Sequence, residues 1–227
     1  MILSAVLGLS SSLLAATSEG THLFILSGQS NMVGLKPNAS FTPTVQKAFG
    51  KSSVLVVHDA KGGQPIRRWY KGWKPEASQK PEQIGDLYDR LMKKVKDAVK
   101  NKAVSSATFV WMQGERDAKE QLSDKYEESF NGLLAQIKKD LGIDKLNFVI
   151  GRLSDFDMKN AKYKHWTKVR DAQVKLAESS PNGAWVDTDD LNNKGEGEKK
   201  KDDLHYTKDG YVTLGQRFAE KAIQLLK

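Results

Sequence analysis

No cysteine occurs among the 227 residues. The chain therefore has no disulfide, no thiolate nucleophile and no Cys-ligated metal centre. Histidine is scarce as well. Only four are present, so an imidazole base has to be His22, His58, His165 or His205. No internal repeat is found. Long apolar runs are missing from the body of the chain, and no segment there is able to cross a membrane. Charge is missing from one place, the first 18 residues, MILSAVLGLSSSLLAATS. That stretch is short and Ser-rich for a membrane span. It reads as the apolar core of a signal peptide, with Ala16 and Ser18 as small residues near a cleavage point. The expectation is a leader over 1–18, a single domain over 19–227, and a secreted or periplasmic protein. The alternative is an N-terminal helix belonging to the fold.

Acidic residues are outnumbered, 28 against 36 Lys and Arg, for a net charge of +8. The surplus is scattered over helix surfaces, as at Lys93, Lys94, Lys96, Lys100, Lys138 and Lys139. The one dense run, Lys199-Lys200-Lys201, sits beside Asp202-Asp203. No nucleic-acid motif with interleaved aromatics accompanies it. A solvated basic face is the reading, with no nucleic-acid partner, and an acidic polysaccharide remains compatible with it.

The length suits one α/β domain with a full core. Apolar runs at 22–27, 52–60, 107–114, 146–154 and 183–189 predict five strands. Helical spacing predicts helices over 85–101, 123–142, 163–179 and 207–227, with Ser123 as an N-cap and Gly142 as a stop. Unalternating strands separated by amphipathic helices predict a three-layer α/β/α sandwich around a mainly parallel, flavodoxin-like sheet. Ligands of such sheets sit beyond the carboxyl ends of the strands. The residues just after each strand are polar: Gly28-Gln29-Ser30-Asn31, then His58 through Gly63, then Gln113 through Asp117, then Arg152-Leu153-Ser154. After the fifth strand come Asp187 through Asp190 and a loop leading to Asp202-Asp203-Leu204-His205.

A serine hydroxyl needs a base, an acid that orients the base, and donors for the oxyanion. Ser30 lies between a strand end and a helix start, where its side chain is either a nucleophile or an N-cap. His22 and His165 fall within elements and read as structural. His58 ends a strand without an acid in fixed register. His205 follows Asp202 by three residues, a spacing that lets a carboxylate reach the imidazole. Gly62-Gly63 offers bare backbone, or a plain turn. Gln113 offers an amide donor, or a strand-end hydrogen bond.

The blocks GQSNM (28–32), GGQPIRRW (62–69), WMQGERDA (111–118) and DDLHYTKDGYVTLG (202–215) resemble the four blocks of SGNH hydrolases. More narrowly, they resemble the sialate O-acetylesterase and acetylxylan esterase branch of carbohydrate esterases, across 22–227. The resemblance implies Ser30 as nucleophile, His205 as base, and Asp202 as acid with Glu115 as the alternative. It implies an oxyanion hole from Ser30, Gly62 and Gln113, with Gly63 competing with Gly62. The block usually continues Gly-Gly-Thr or Gly-Gly-Ser. Here Gln64-Pro65 follows, which bears on acyl-chain size. Gln29, Asn31, Gln64, Arg67 and Trp69 are candidate substrate contacts, and Arg68 and Trp73 lie near enough to join them. The expected function is removal of O-acetyl groups from an acetylated carbohydrate, with no metal and no organic cofactor. The rival readings are an SGNH lipase or thioesterase and a catalytically inactive carbohydrate-binding protein. Oligomeric state is not legible.

Overall fold

Strands that are apolar on both faces need cover on both faces. The computed structural model, which describes residues 20–75, 83–192 and 203–227, supplies it. Five strands form one sheet: β1 Thr21–Gly28, β2 Val54–Ala60, β3 Val104–Met112, β4 Asn147–Gly151 and β5 Gly183–Val186. Every pairing is parallel, and the order is β2-β1-β3-β4-β5. This is the flavodoxin-like order expected from the alternating pattern. The leader expected over 1–18, Asp202 and the Lys199–Lys201 run lie outside the described residues.

Seven helices surround the sheet among the described residues: α1 Ser30–Gly34, α2 Phe41–Phe49, α3 Asp86–Val99, α4 Glu115–Lys119, α5 Tyr126–Leu141, α6 Trp166–Glu178 and α7 Lys208–Gln224. α2 packs on α7 to form one layer, and α5 packs on α6 in the other. Tyr88 of α3 donates to Asp140 of α5 at 2.9 Å and ties α3 to that second layer. Leu23, Phe24, Ile25 and Leu26 of β1 are fully buried between the layers. An aromatic cluster, with Trp69 edge-on to Trp111 at 5.2 Å, fills the α5 side.

The four long helices lie within the expected ranges, with trimmed ends. Two elements were not legible, α2 and α4. The first carries Pro43 and two threonines in a short FTPTVQKAF segment, and the second spans a single turn. Gly142 does stop α5, at φ +64°. Ser123 does not cap it. A 3-10 turn over Ser123–Lys125 precedes the helix, and the Ser123 hydroxyl is paired with His165 Nδ1 at 2.8 Å. β5 ends at Val186, short of the expected 189. The chain there turns so that the Thr188 hydroxyl donates to the Arg152 carbonyl at 2.6 Å.

In a doubly wound sheet the crevice opens where the connections diverge to opposite faces. Here that is between β1 and β3. β1 runs out at Gly28 beside Met112, so the segments starting at Gln29 and Gln113 leave the sheet side by side. Gly28 has φ +145°, and a Cβ there would lie 1.9 Å from the Met112 carbonyl oxygen. Only glycine lets the two strands part this closely.

Candidate active site

The chain leaves β1 through the buried Gln29 and reaches Ser30, the first residue of α1, which is partly exposed. His205 comes from the far end of the sequence, just before α7. Its Nε2 stands 3.0 Å from Ser30 Oγ. None of the other three histidines takes that place. His22 Nδ1 pairs with Ser106 Oγ at 2.7 Å, and His165 with Ser123. His58 Nε2 meets the Met32 carbonyl oxygen at 2.9 Å, and burial lowers its pKa. A neutral His58 therefore donates to that carbonyl.

The loop carrying His205 is fastened to the first block. Asn31, fully buried, donates from Nδ2 to the Leu204 carbonyl at 3.1 Å and to Glu115 Oε1 at 2.9 Å. Tyr211 of α7 donates its hydroxyl to Asn31 Oδ1 at 3.1 Å. The Asn31 side chain is thus occupied on both ends by protein. It joins α1, α4 and α7, and holds His205 in register with Ser30. Tyr211 was not singled out from the sequence, although it lies within the fourth block.

Glu115 is buried. Burial raises its pKa, while the hydrogen bond from Asn31 and the nearby His205 favour the charged form. Its Oε2 is buried with no hydrogen-bond partner among the described residues. Glu115 reaches the segment carrying His205 through Asn31, which bonds both Glu115 Oε1 and the Leu204 carbonyl.

The two competing glycines separate cleanly. A Cβ on Gly62 would lie 3.6 Å from Ser30 Cβ, so its backbone stands directly against the serine. Gly63, at φ +69°, would have nothing within 4 Å of an added Cβ and serves the turn. The backbone N–H groups of Ser30 and Gly62 take no partner in the backbone network of the described residues.

Gln113 departs from the expectation. Its side chain is wholly buried, and Nε2 faces three protein acceptors: Gln64 O at 3.1 Å, Gln29 Oε1 at 3.3 Å and Asp117 Oδ2. An amide has two N–H hydrogens. Both are committed inside the protein, so Gln113 stands behind Gly62 and Ser30 and fastens the Gly62–Ile66 loop to β3. The candidate substrate contacts are likewise engaged by protein groups. Trp69 has no exposed surface and packs on Trp111, leaving no face for a sugar. Gln29 is buried and accepts from the Arg116 N–H at 3.2 Å. Gln64 Nε2 donates to the Gly62 carbonyl at 2.9 Å, and its Oε1 accepts from Arg68, which is itself paired with Asp86. Arg67 pairs with Glu120 at 2.6 Å and lies over Trp73.

Size does not locate this chemistry. A cleft of about 790 Å³ borders Trp185 and Arg217 beside β5 and contains no histidine. Among the described residues no cluster of His, Asp and Glu is arranged to hold a metal ion, and no helix is long and apolar enough to cross a membrane.

A family model described as carbohydrate esterase, sialic acid-specific acetylesterase, matches residues 33–224. The chain belongs to this family of carbohydrate esterases. It is accordingly a carboxylic ester hydrolase of the carbohydrate acetylesterase kind. A protein of Arabidopsis thaliana named "Probable carbohydrate esterase" is 25% identical over 205 residues, covering 89% of this chain and 68% of its own. A solved Arabidopsis thaliana structure superposes with a TM-score of 0.69 at 21% identity, covering 90% of this chain and 98% of that one. A carbohydrate acetylesterase from Xanthomonas citri gives 0.63 at 18% identity, over 89% of this chain and 56% of its own. The last two likenesses concern the fold.

Proposed function

We propose that this carbohydrate esterase works through an acyl-enzyme on Ser30, with His205 as base and Asp202 as the acid that orients it. Glu115 is the alternative acid. Ser30 Oγ attacks the acetyl carbonyl carbon, and His205 Nε2 takes the hydroxyl proton. The carbonyl oxygen becomes an oxyanion facing the N–H groups of Ser30 and Gly62. The intermediate collapses, and the sugar oxygen leaves with the proton held by His205. Water then attacks the acyl-enzyme with His205 again as base, releasing acetate and restoring Ser30. No step calls on a metal or organic cofactor.

The observation that carries this reading is the 3.0 Å approach of His205 Nε2 to Ser30 Oγ, beside Gly62, at the β1/β3 crevice. The distance is that of a hydrogen bond between base and nucleophile. The substrate we propose is an O-acetylated sugar, a sialic acid, a xylan or a related glycan, handled by a secreted 19–227 domain. The deciding experiment compares 4-nitrophenyl acetate, butyrate and octanoate, using the intact chain and Ser30→Ala. Acetate is expected to be cleaved best, and Ser30→Ala to lose activity by about 10⁴-fold or more. Undiminished turnover in Ser30→Ala sinks the assignment, and octanoate as best substrate favours the lipase reading. O-acetylated sialic acid and acetylated xylan then separate the substrates.

A further inference from the structure

The block QGERDA contains a second carboxylate that the reaction does not consume. Asp117 sits in α4, wholly buried, one helical turn after Gln113. Its Oδ2 accepts from the Ile66 backbone N–H at 2.9 Å and from Gln113 Nε2. Gln113 in turn donates to the Gln64 carbonyl at 3.1 Å. Gln64 and Ile66 flank Pro65 in the loop that presents Gly62 to Ser30. One carboxylate oxygen therefore holds that loop directly at Ile66 and indirectly, through Gln113, at Gln64. The loop's other side-chain bonds are from Gln64 Nε2 to the Gly62 carbonyl and from Arg68 to Gln64 Oε1, and neither reaches β3. Gly62 and Gly63 are exposed, and Gly63 adopts a left-handed turn conformation.

We infer that Asp117 is the positioning residue of the oxyanion loop, fixing the Gly62 N–H against Ser30 through Ile66 and Gln113. It touches no reacting atom. It acts by denying the loop other arrangements, and the role belongs to the acceptor atom. This rests on the proposed role of Gly62 as an oxyanion donor. A donor displaced by an ångström or so forfeits much of its transition-state stabilisation while leaving ground-state binding nearly untouched. The loss should appear in kcat and not in KM.

The test uses the full chain as wild type, Asp117→Asn, Asp117→Ala and Ser30→Ala, with 4-nitrophenyl acetate. Active sites of the variants that keep Ser30 are counted by complete reaction with a serine-directed organophosphate, so that kcat refers to folded enzyme, and Ser30→Ala is referred to its protein concentration. Asn keeps an oxygen able to accept from both donors, and is expected to hold kcat within about three-fold. Ala removes the acceptor, and is expected to lower kcat by about 10- to 100-fold with KM within about two-fold. Should Asp117→Ala not fold, Asp117→Leu, which fills the volume and removes only the acceptor, takes its place with the same expectation. A folded Ala or Leu variant with undiminished kcat overturns the inference. So does an Asn variant that loses as much as Ala, since the charge and not the acceptor would then matter. An active Ser30→Ala takes the inference down together with the proposed function. An inactive Ser30→Ala beside a fully active Asp117→Ala removes the brace alone.

Discussion

Burial without a cationic partner has a measurable consequence at Asp117. Its carboxyl is pushed from the ordinary 3.8 up to about 7, because burial penalises the charged form more than the hydrogen bonds from Gln113 and Ile66 favour it. In the unfolded chain the same group titrates near its ordinary value. Between pH 4 and 7 the folded protein therefore holds a proton that the unfolded chain has released. Stability from this group is complete below about pH 4, declines as pH rises through that window, and is gone above about pH 7. At 1.36 kcal/mol per pKa unit, the contribution is of order 4 kcal/mol. Asp117→Asn removes the titration. Urea unfolding at pH 5 and pH 8 should show the Asn variant gaining several kcal/mol on the wild type at the higher pH, and parallel pH curves for the two proteins would refute it. The sequence shows Gln113 and Asp117 four residues apart, across the end of the third strand. It does not show that the amide hydrogens are spent on Asp117 and the neighbouring loop. Gln113 was legible as an amide at the site, but its direction was not.

Among elements, the loop between β2 and α3 was the least legible, and it carries the sharpest contrast. Two adjacent glycines look equivalent in the sequence, yet their surroundings differ. Gly62 stands against Ser30 with no left-handed requirement, while Gly63 needs φ +69° and touches nothing. Gly62→Ala should therefore fold normally and lose activity, by about ten-fold or more, as the methyl fills space beside Ser30 that the bound ester needs. Gly63→Ala should cost about 1 kcal/mol or more of stability, from strain at positive φ, and leave kcat within about two-fold. Thermal unfolding and turnover measured on both variants check the pair, and the reverse pattern would put Gly63 in the site. The longer elements were legible because burial leaves a period in the sequence. β1 shows a continuous apolar run and α3 an amphipathic one. α2 and α4 are too short to establish a period, and their positions follow from packing on α7 and from the exit of β3. Trp69 illustrates the same limit. An aromatic after a glycine block suits a sugar platform or a core, and only the packing on Trp111 decides for the core.

At the scale of the whole molecule, the question is what +8 does. Part of the charge is spent on internal order. Arg152 pairs with Asp187 and Asp189, Arg170 with Asp189 and Arg217 with Asp190, three arginines against three aspartates, and together they tie β4, α6 and α7 to the chain beyond β5. These pairs are neutral in sum, so they leave the surplus undiminished. That surplus is a long-range field that draws anionic molecules toward the surface before any contact forms. Beside the Gly62 loop, Arg67 and Arg116 share the single carboxylate of Glu120. The field therefore distinguishes acetylated substrates by charge. For an O-acetylated sialic acid, which carries a carboxylate, kcat/KM should fall by about three-fold or more between 20 and 200 mM NaCl, as the screening length shrinks below the size of the molecule. For neutral 4-nitrophenyl acetate it should stay within about 1.5-fold over the same range, because neither encounter nor binding involves net charge. Equal salt dependence for the two esters would mean that the salt acts on the enzyme itself. A flat response for both would mean that the basic surface faces away from the path of the substrate, and that a neutral glycan such as acetylated xylan fits the site as well as an acidic one.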